Sequence, residues 1–280
     1  MTDETALLAA VVAAPDDETP RLVLADWWDD YNRPDRADFV RIECQLARLL
    51  AAHPHPYQLV ARARSMLCIS DREFRFEGNL DPALEEQDQE LVRLRGWDWD
   101  GGVSSLVEYV GFRRGFVEEV GMSGRAFLRS ANEMFARAPV RHVSFSRTPT
   151  ALLPELTACP YLGRLRSASF AHKAIGPAGA AYLARCPHLC NLEELDLTHC
   201  RIGDGGLAAI AGSPRLTRLT ALDLWNNDLS DAGADTLMSS PVLSRLAYVR
   251  LGVNRFSRES EGALRESFGS RADFRMPGDP

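Results

Sequence analysis

The sequence predicts an α/β horseshoe solenoid, with parallel strands on its concave side and helices on its convex side, preceded by a small all-α module. Three observations predict it. A leucine-spaced segment recurs every 27 residues, a second half-unit recurs in the same register, and a stretch of helical apolar periodicity precedes both.

Residues 1–52 read as three short helices. Asp3 can cap the first, which carries Leu7, Leu8, Val11 and Val12, and Pro15–Pro20 breaks it. The second carries Leu22, Leu24, Trp27, Trp28 and Tyr31 and stops at Asn32-Arg-Pro34. The third begins near Asp35 and places Phe39, Ile42, Leu46 and Leu49 at helical spacing. Two segments here, Pro20-Arg-Leu-Val-Leu-Ala-Asp-Trp27 and Asp35-Arg-Ala-Asp-Phe-Val-Arg-Ile-Glu-Cys-Gln-Leu-Ala-Arg48, resemble the bacterial repeat-companion domain family, a short module found ahead of leucine-rich repeats. Phe112-Arg-Arg-Gly-Phe-Val-Glu118 resembles the segment leading into the repeats of such proteins. The family pattern has one Trp followed by an aliphatic residue, where this chain has Trp27-Trp28, so the buried face of the second helix is left open. The resemblance implies architecture rather than an activity.

Residues 53–111 read as a helical connector and cap. Tyr57–Ile69 and Pro82–Arg95 look helical, the latter with a highly charged, solvated face. Trp97 and Trp99 lie in a Gly-rich loop and are expected to plug the open apolar end of the solenoid, with a ligand-binding aromatic pair as the alternative.

Residues 112–270 read as the repeats and 271–280 as a C-terminal tail. Leu192-Glu-Glu-Leu-Asp-Leu-Thr-His-Cys-Arg-Ile202 returns as Leu219-Thr-Ala-Leu-Asp-Leu-Trp-Asn-Asn-Asp-Leu229, then as Leu246-Ala-Tyr-Val-Arg-Leu-Gly-Val-Asn-Arg-Phe256. Leu165–Ile175 is the unit before them. A shorter unit starts near Val140, and a degenerate strand, Val117–Met122, is expected ahead of it. Gly179, Gly206 and Gly233 are in register, as are Leu183, Ile210, Leu237 and Leu264. Cys186, Ser213 and Ser240 share one slot. Cys200, Asn227 and Asn254 share another, where the chain turns after the strand and a side-chain amide can satisfy stranded backbone groups. This pattern resembles the ribonuclease-inhibitor-like class of leucine-rich-repeat proteins, over roughly residues 112–268. Strands about 4.8 Å apart backed by helices about 8–10 Å apart must bend the stack.

No run reaches 18 apolar residues, and the N-terminus is acidic rather than signal-like, so a cytoplasmic protein is expected, with no membrane partner. The six cysteines show no disulfide framework and are expected as thiols. A net charge of −7 argues against nucleic acid as a partner. Phosphate-loop, nucleophile-elbow and zinc-protease motifs do not occur. Cys186, His188, Cys190, His199 and Cys200 have zinc-ligand chemistry, but repeat register already accounts for Cys186 and Cys200. Asp26, Asp29 and Asp30 could form a carboxylate site, though an acidic helix face explains them as well. No cofactor or metal is expected.

Alternation assigns the outward strand positions. One row holds Glu119, His142, Ser167, Glu194, Ala221 and Tyr248. The next holds Gly121, Ser144, Ser169, Asp196, Asp223 and Arg250, and a third Ser123, Ser146, Ala171, Thr198, Trp225 and Gly252. Trp225, Tyr248 and Arg250, beside Asp223, Asp196 and Glu194, with His142 at the far end, form the expected partner-binding face, and Trp225 is expected to face solvent. The leading expectation is therefore a non-catalytic, monomeric interaction module that binds an unidentified protein. The alternative is an enzyme or ligand-binding protein with its site in residues 1–110 and the repeats as a targeting domain.

Overall fold

A computed structural model describes residues 3–52, 81–95 and 98–274. The helix expected over Tyr57–Ile69, Trp97, and residues 275–280 lie outside the described residues. The chain divides into two units, Met1–Gly121 with Ser130–Val140, and Met122–Arg129 with Arg141–Pro280.

The first unit contains α1 (Asp3–Ala13), α2 (Thr19–Asp30), α3 (Pro34–Ala52) and α4 (Pro82–Arg95). Pro20 opens α2, where its missing N–H costs nothing. Val11, Leu24, Ala25, Trp28, Ala37, Val40, Cys44 and Phe116 form the core. Trp28 is thus the inward tryptophan of the pair. Trp27 is half-buried and stacks on exposed Tyr31, with ring centroids 4.1 Å apart.

β1 (Tyr109–Arg113) and β2 (Phe116–Ser123) pair antiparallel. The expected degenerate repeat strand is therefore the second arm of a hairpin, and the expected boundary at 111/112 falls inside β1. The cause is a two-residue turn. Arg114 and Gly115 both take left-handed backbone, with φ of 52° and 78°, which sends the chain straight back rather than through a crossover. A Cβ on Gly115 would lie 2.6 Å from the Val40 Cα, so only glycine fits.

The segment Pro20–Trp27 and the phrase Phe112–Glu118 meet here. Arg21 of α2 pairs with Glu118 of β2 at 2.8 Å, both essentially inaccessible to water. Arg114 pairs with Glu118 at the same distance, and both arginines donate to the Pro15 carbonyl. A buried carboxylate between two guanidiniums is compensated; any one of them alone would be costly. Arg36 is also buried, its guanidinium over the rings of Trp28, Trp99 and Phe116 at 4.8–5.2 Å. Loss of hydration pushes its pKa down to about 9. Trp99, expected to plug the solenoid, packs on Phe39 and under Arg36 within the helical unit.

α5 (Gly124–Arg137) falls across the division. The second unit is a solenoid. β3 (His142–Ser146), β4 (Ser167–Ser169), β5 (Glu194–Asp196), β6 (Ala221–Asp223), β7 (Tyr248–Arg250) and β8 (Ala272–Asp273) pair in parallel, in chain order. β8 lies in the segment expected as a tail. Between the strands run α6 (Leu153–Thr157), α7 (Gly176–Arg185), α8 (Gly203–Ala211), α9 (Asp231–Ser239) and α10 (Arg258–Phe268).

The leucine columns fill the interior: Leu165, Leu192, Leu219 and Leu246 are buried, as are Leu195, Leu222 and Val249 on the inward strand face. Each such side chain contributes roughly 1.5–3 kcal/mol on burial. Gly206 lets neighbouring helices approach, since a Cβ there would stand 3.1 Å from that of Ala180. The turn slot works as its chemistry requires. Asn227 accepts from the N–H groups of Cys200 and Ile202 and donates to the Leu197 and Trp225 carbonyls. Asn254 repeats the pattern one unit later, accepting from Asn227 and Leu229. Cys200 donates its thiol to the Phe170 carbonyl at 3.0 Å. Cys186, Ser213 and Ser240 likewise donate to the carbonyls of Thr157, Ala184 and Ala211, each from the preceding unit.

Candidate functional site: the strand face of the repeats

Strand pairing carries Ser167, Glu194, Ala221 and Tyr248 into one row, with His142 at its start. The neighbouring row runs Ser144, Ser169, Asp196, Asp223, Arg250 and Asp273. Asp196, Asp223, Arg250, Trp225 and Tyr248 are thereby brought together. Glu194 lies beside them, and His142 stands apart, two strands from Glu194.

The second row has a local reason for its residue types. Ser169, Asp196 and Asp223 each accept from the N–H two residues on, of Ala171, Thr198 and Trp225. Such turns end each strand after three residues. Spare oxygens then link adjacent strands. The Ser169 hydroxyl donates to Asp196 at 2.7 Å, and Arg250 reaches Asp223 at 3.4 Å.

Trp225 is 5% exposed, which corrects the expectation that it faces solvent. It keeps its outward register, but its ring lies flat over Gly252, whose missing Cβ leaves the space. The Arg250 guanidinium covers the ring at 4.3 Å. Arg250 and Tyr248 are also buried, at 8% and 4%. The Tyr248 hydroxyl donates to Asp273 at 3.2 Å. Asp273, in the segment expected as a tail, is the residue that sequence reasoning missed, because Ala272-Asp273 carries no leucine pattern.

Crowding sets the electrostatics. Burial, then the Asp196 charge, pushes the Asp223 carboxyl well above its ordinary range, against the pull of Arg250. Burial also raises the Tyr248 phenol. The open part of the face is the half-exposed stretch of His142, Ser144, Ser169, Glu194, Asp196 and Thr198.

A second column was not anticipated. His172, His199, Asn226 and Val253, 27 residues apart, all take left-handed backbone. The two imidazoles stack with centroids 4.6 Å apart, and His199 Nδ1 lies 2.8 Å from the Asn226 amide nitrogen.

The other candidates resolve into structure. Arg41 ties Asp26 and Asp29 at 2.8 and 2.6 Å on an exposed surface. Cys186 and Cys200 are occupied in the repeat slots, and among the described residues no three His, Cys, Asp or Glu side chains gather as metal ligands. No described helix is long and apolar enough to cross a membrane.

Residues 188–211 and 216–238 match the family described as Leucine Rich repeat, on the units built around β5 and β6. No curated protein matches the chain.

Proposed function

We propose that this leucine-rich-repeat protein is a non-catalytic, cytoplasmic protein-interaction module that recognises a partner protein on the strand face of its repeats. The observation that carries this reading is the preorganisation of that face. Ser169 holds Asp196, Arg250 bridges to Asp223, and Arg250 clamps Trp225 onto Gly252. Side chains fixed in advance lose little entropy on binding. Glu194 and Asp196 remain half-exposed beside that platform, so the fitting partner presents basic groups there. The 27-residue unit with a helix in each repeat supports the ribonuclease-inhibitor-like class. The joined motif segments around Glu118 support a companion module in the first unit.

The test is affinity capture from the native host, comparing the wild type with Glu194→Lys and with Trp225→Ala, each checked by circular dichroism and thermal melting. Loss of the same partner by a folded Glu194→Lys protein is the expected outcome. Capture unchanged in both variants would refute the strand-face assignment.

A further inference from the structure

Part of the surface of α2 stays open, although Trp27 packs its inner edge against the core of the module. Val23, Trp27 and Tyr31 follow one another at intervals of four, so they share one side of the helix and its end, over about 12 Å of rise. The adjoining side, Arg21, Leu24, Ala25 and Trp28, is the one buried in the module. Val23 is 47% and Tyr31 58% exposed, although both are large and apolar in character. The Trp27–Tyr31 stack makes a flat, preset aromatic surface rather than two independent side chains. Beside this stripe, one position earlier on each turn, run the exposed Asp26 and Asp30, with Asp29 close by. Among the described residues, Arg41 is the cation joined to this group, bridging Asp26 and Asp29 and also facing exposed Asp38, so one positive charge stands against several carboxylates.

We propose that this face is a second docking surface, and that its occupant is an amphipathic helix of a partner protein with an apolar stripe flanked by Lys or Arg. Two turns of such a helix match the length of the stripe, and its cations answer Asp30 and the charge that Arg41 leaves uncompensated on Asp26, Asp29 and Asp38. The carboxylates oppose an anionic membrane as the occupant. This surface is independent of the strand face, so either can fail alone.

The probe is a fluorescein-labelled synthetic helix of Leu and Lys, compared with its Leu and Glu counterpart, titrated against the full chain by anisotropy. The Lys helix should bind and the Glu helix should not. Val23→Ser and Tyr31→Ser change side chains that lie outside the core, so their melting temperatures should fall little while affinity drops about tenfold for each, as for interface anchors. Asp30→Asn should weaken binding and flatten its salt dependence. Equal binding of both helices, no binding of the Lys helix, or unchanged affinity in both serine variants would overturn the proposal. Sedimentation velocity separates the other occupant: a concentration-dependent dimer that Tyr31→Ser abolishes would mean that a second copy of the chain covers the face.

Discussion

Val253 is a β-branched residue held at φ 57°, in the column where earlier repeats place His172, His199 and Asn226. The left-handed region crowds a β-branched side chain, at a cost of roughly 1–3 kcal/mol. The side chain recovers little of this by burial, because it is 45% exposed. Asparagine tolerates this backbone and already stands one unit earlier, so Val253→Asn is expected to stabilise the protein by about 1 kcal/mol. Urea unfolding with an unchanged slope would check it, and a lower midpoint would show that the valine makes contacts that outweigh its strain. The same neighbourhood explains why Trp225 was misread from sequence. Alternation gives the direction of a side chain, and Trp225 does point outward. Its burial depends on a glycine 27 residues later and an arginine one strand over, a three-body packing that no periodicity encodes. Asn227 and Asn254 were legible because their chemistry answers backbone groups of their own and adjacent turns.

The stacked histidine pair belongs to the turns that join each strand to the next helix, and His199 makes its turn sensitive to pH. Burial lowers the His199 pKa first, with the neighbouring His172 and Arg250 adding to it and Asp196 opposing. Its folded value lies below its unfolded one, so the unfolded chain takes up the proton first. The stability this group contributes is present above about pH 6.5 and is lost as pH falls through the folded value. Asp223 has the opposite sign. Its carboxyl is raised to about 7, so the folded state holds a proton the unfolded chain has released, and stability falls as pH climbs from the ordinary carboxylate range toward 7. Melting temperature measured from pH 4 to pH 8 should separate them. His199→Asn is expected to remove the loss that sets in below about pH 6.5, the ordinary imidazole value, and Asp223→Asn the decline between pH 4 and 7. Two unaltered profiles would mean that neither group titrates differently on folding. The strand ends were readable as turns from sequence, whereas the imidazole stack was not. His172 and His199 sit 27 residues apart in a slot whose other occupants, Asn226 and Val253, share only a backbone angle.

A solenoid shows its period because every unit must satisfy the same neighbours, so the leucines, the glycines and the asparagine slot reveal β4 to β7 from sequence alone. The ends escape because there the neighbour changes. Val117–Met122 has the alternation of a repeat strand, and only the Arg114-Gly115 turn decides that it runs antiparallel. β8 is two residues long and pairs through the Asp273 carbonyl, a contact without side-chain pattern. This architecture also sets how damage spreads. Each repeat of the second unit contacts chiefly the one before and the one after, so stability is close to a sum of unit and nearest-neighbour terms. Leu264 of α10 and Ile210 of α8 are both fully buried, and truncating either to alanine costs about 2–5 kcal/mol. Their positions differ. Leu264→Ala weakens the last unit, whose loss leaves every other interface intact, so hydrogen exchange should speed up at Val249 and Leu251 and stay slow at Ala168 and Leu195. Ile210→Ala weakens a unit held on both sides, and faster exchange should reach β4 to β7 together. Uniform acceleration by Leu264→Ala would mean that the repeats unfold as one cooperative block, with interfaces stronger than the units they join.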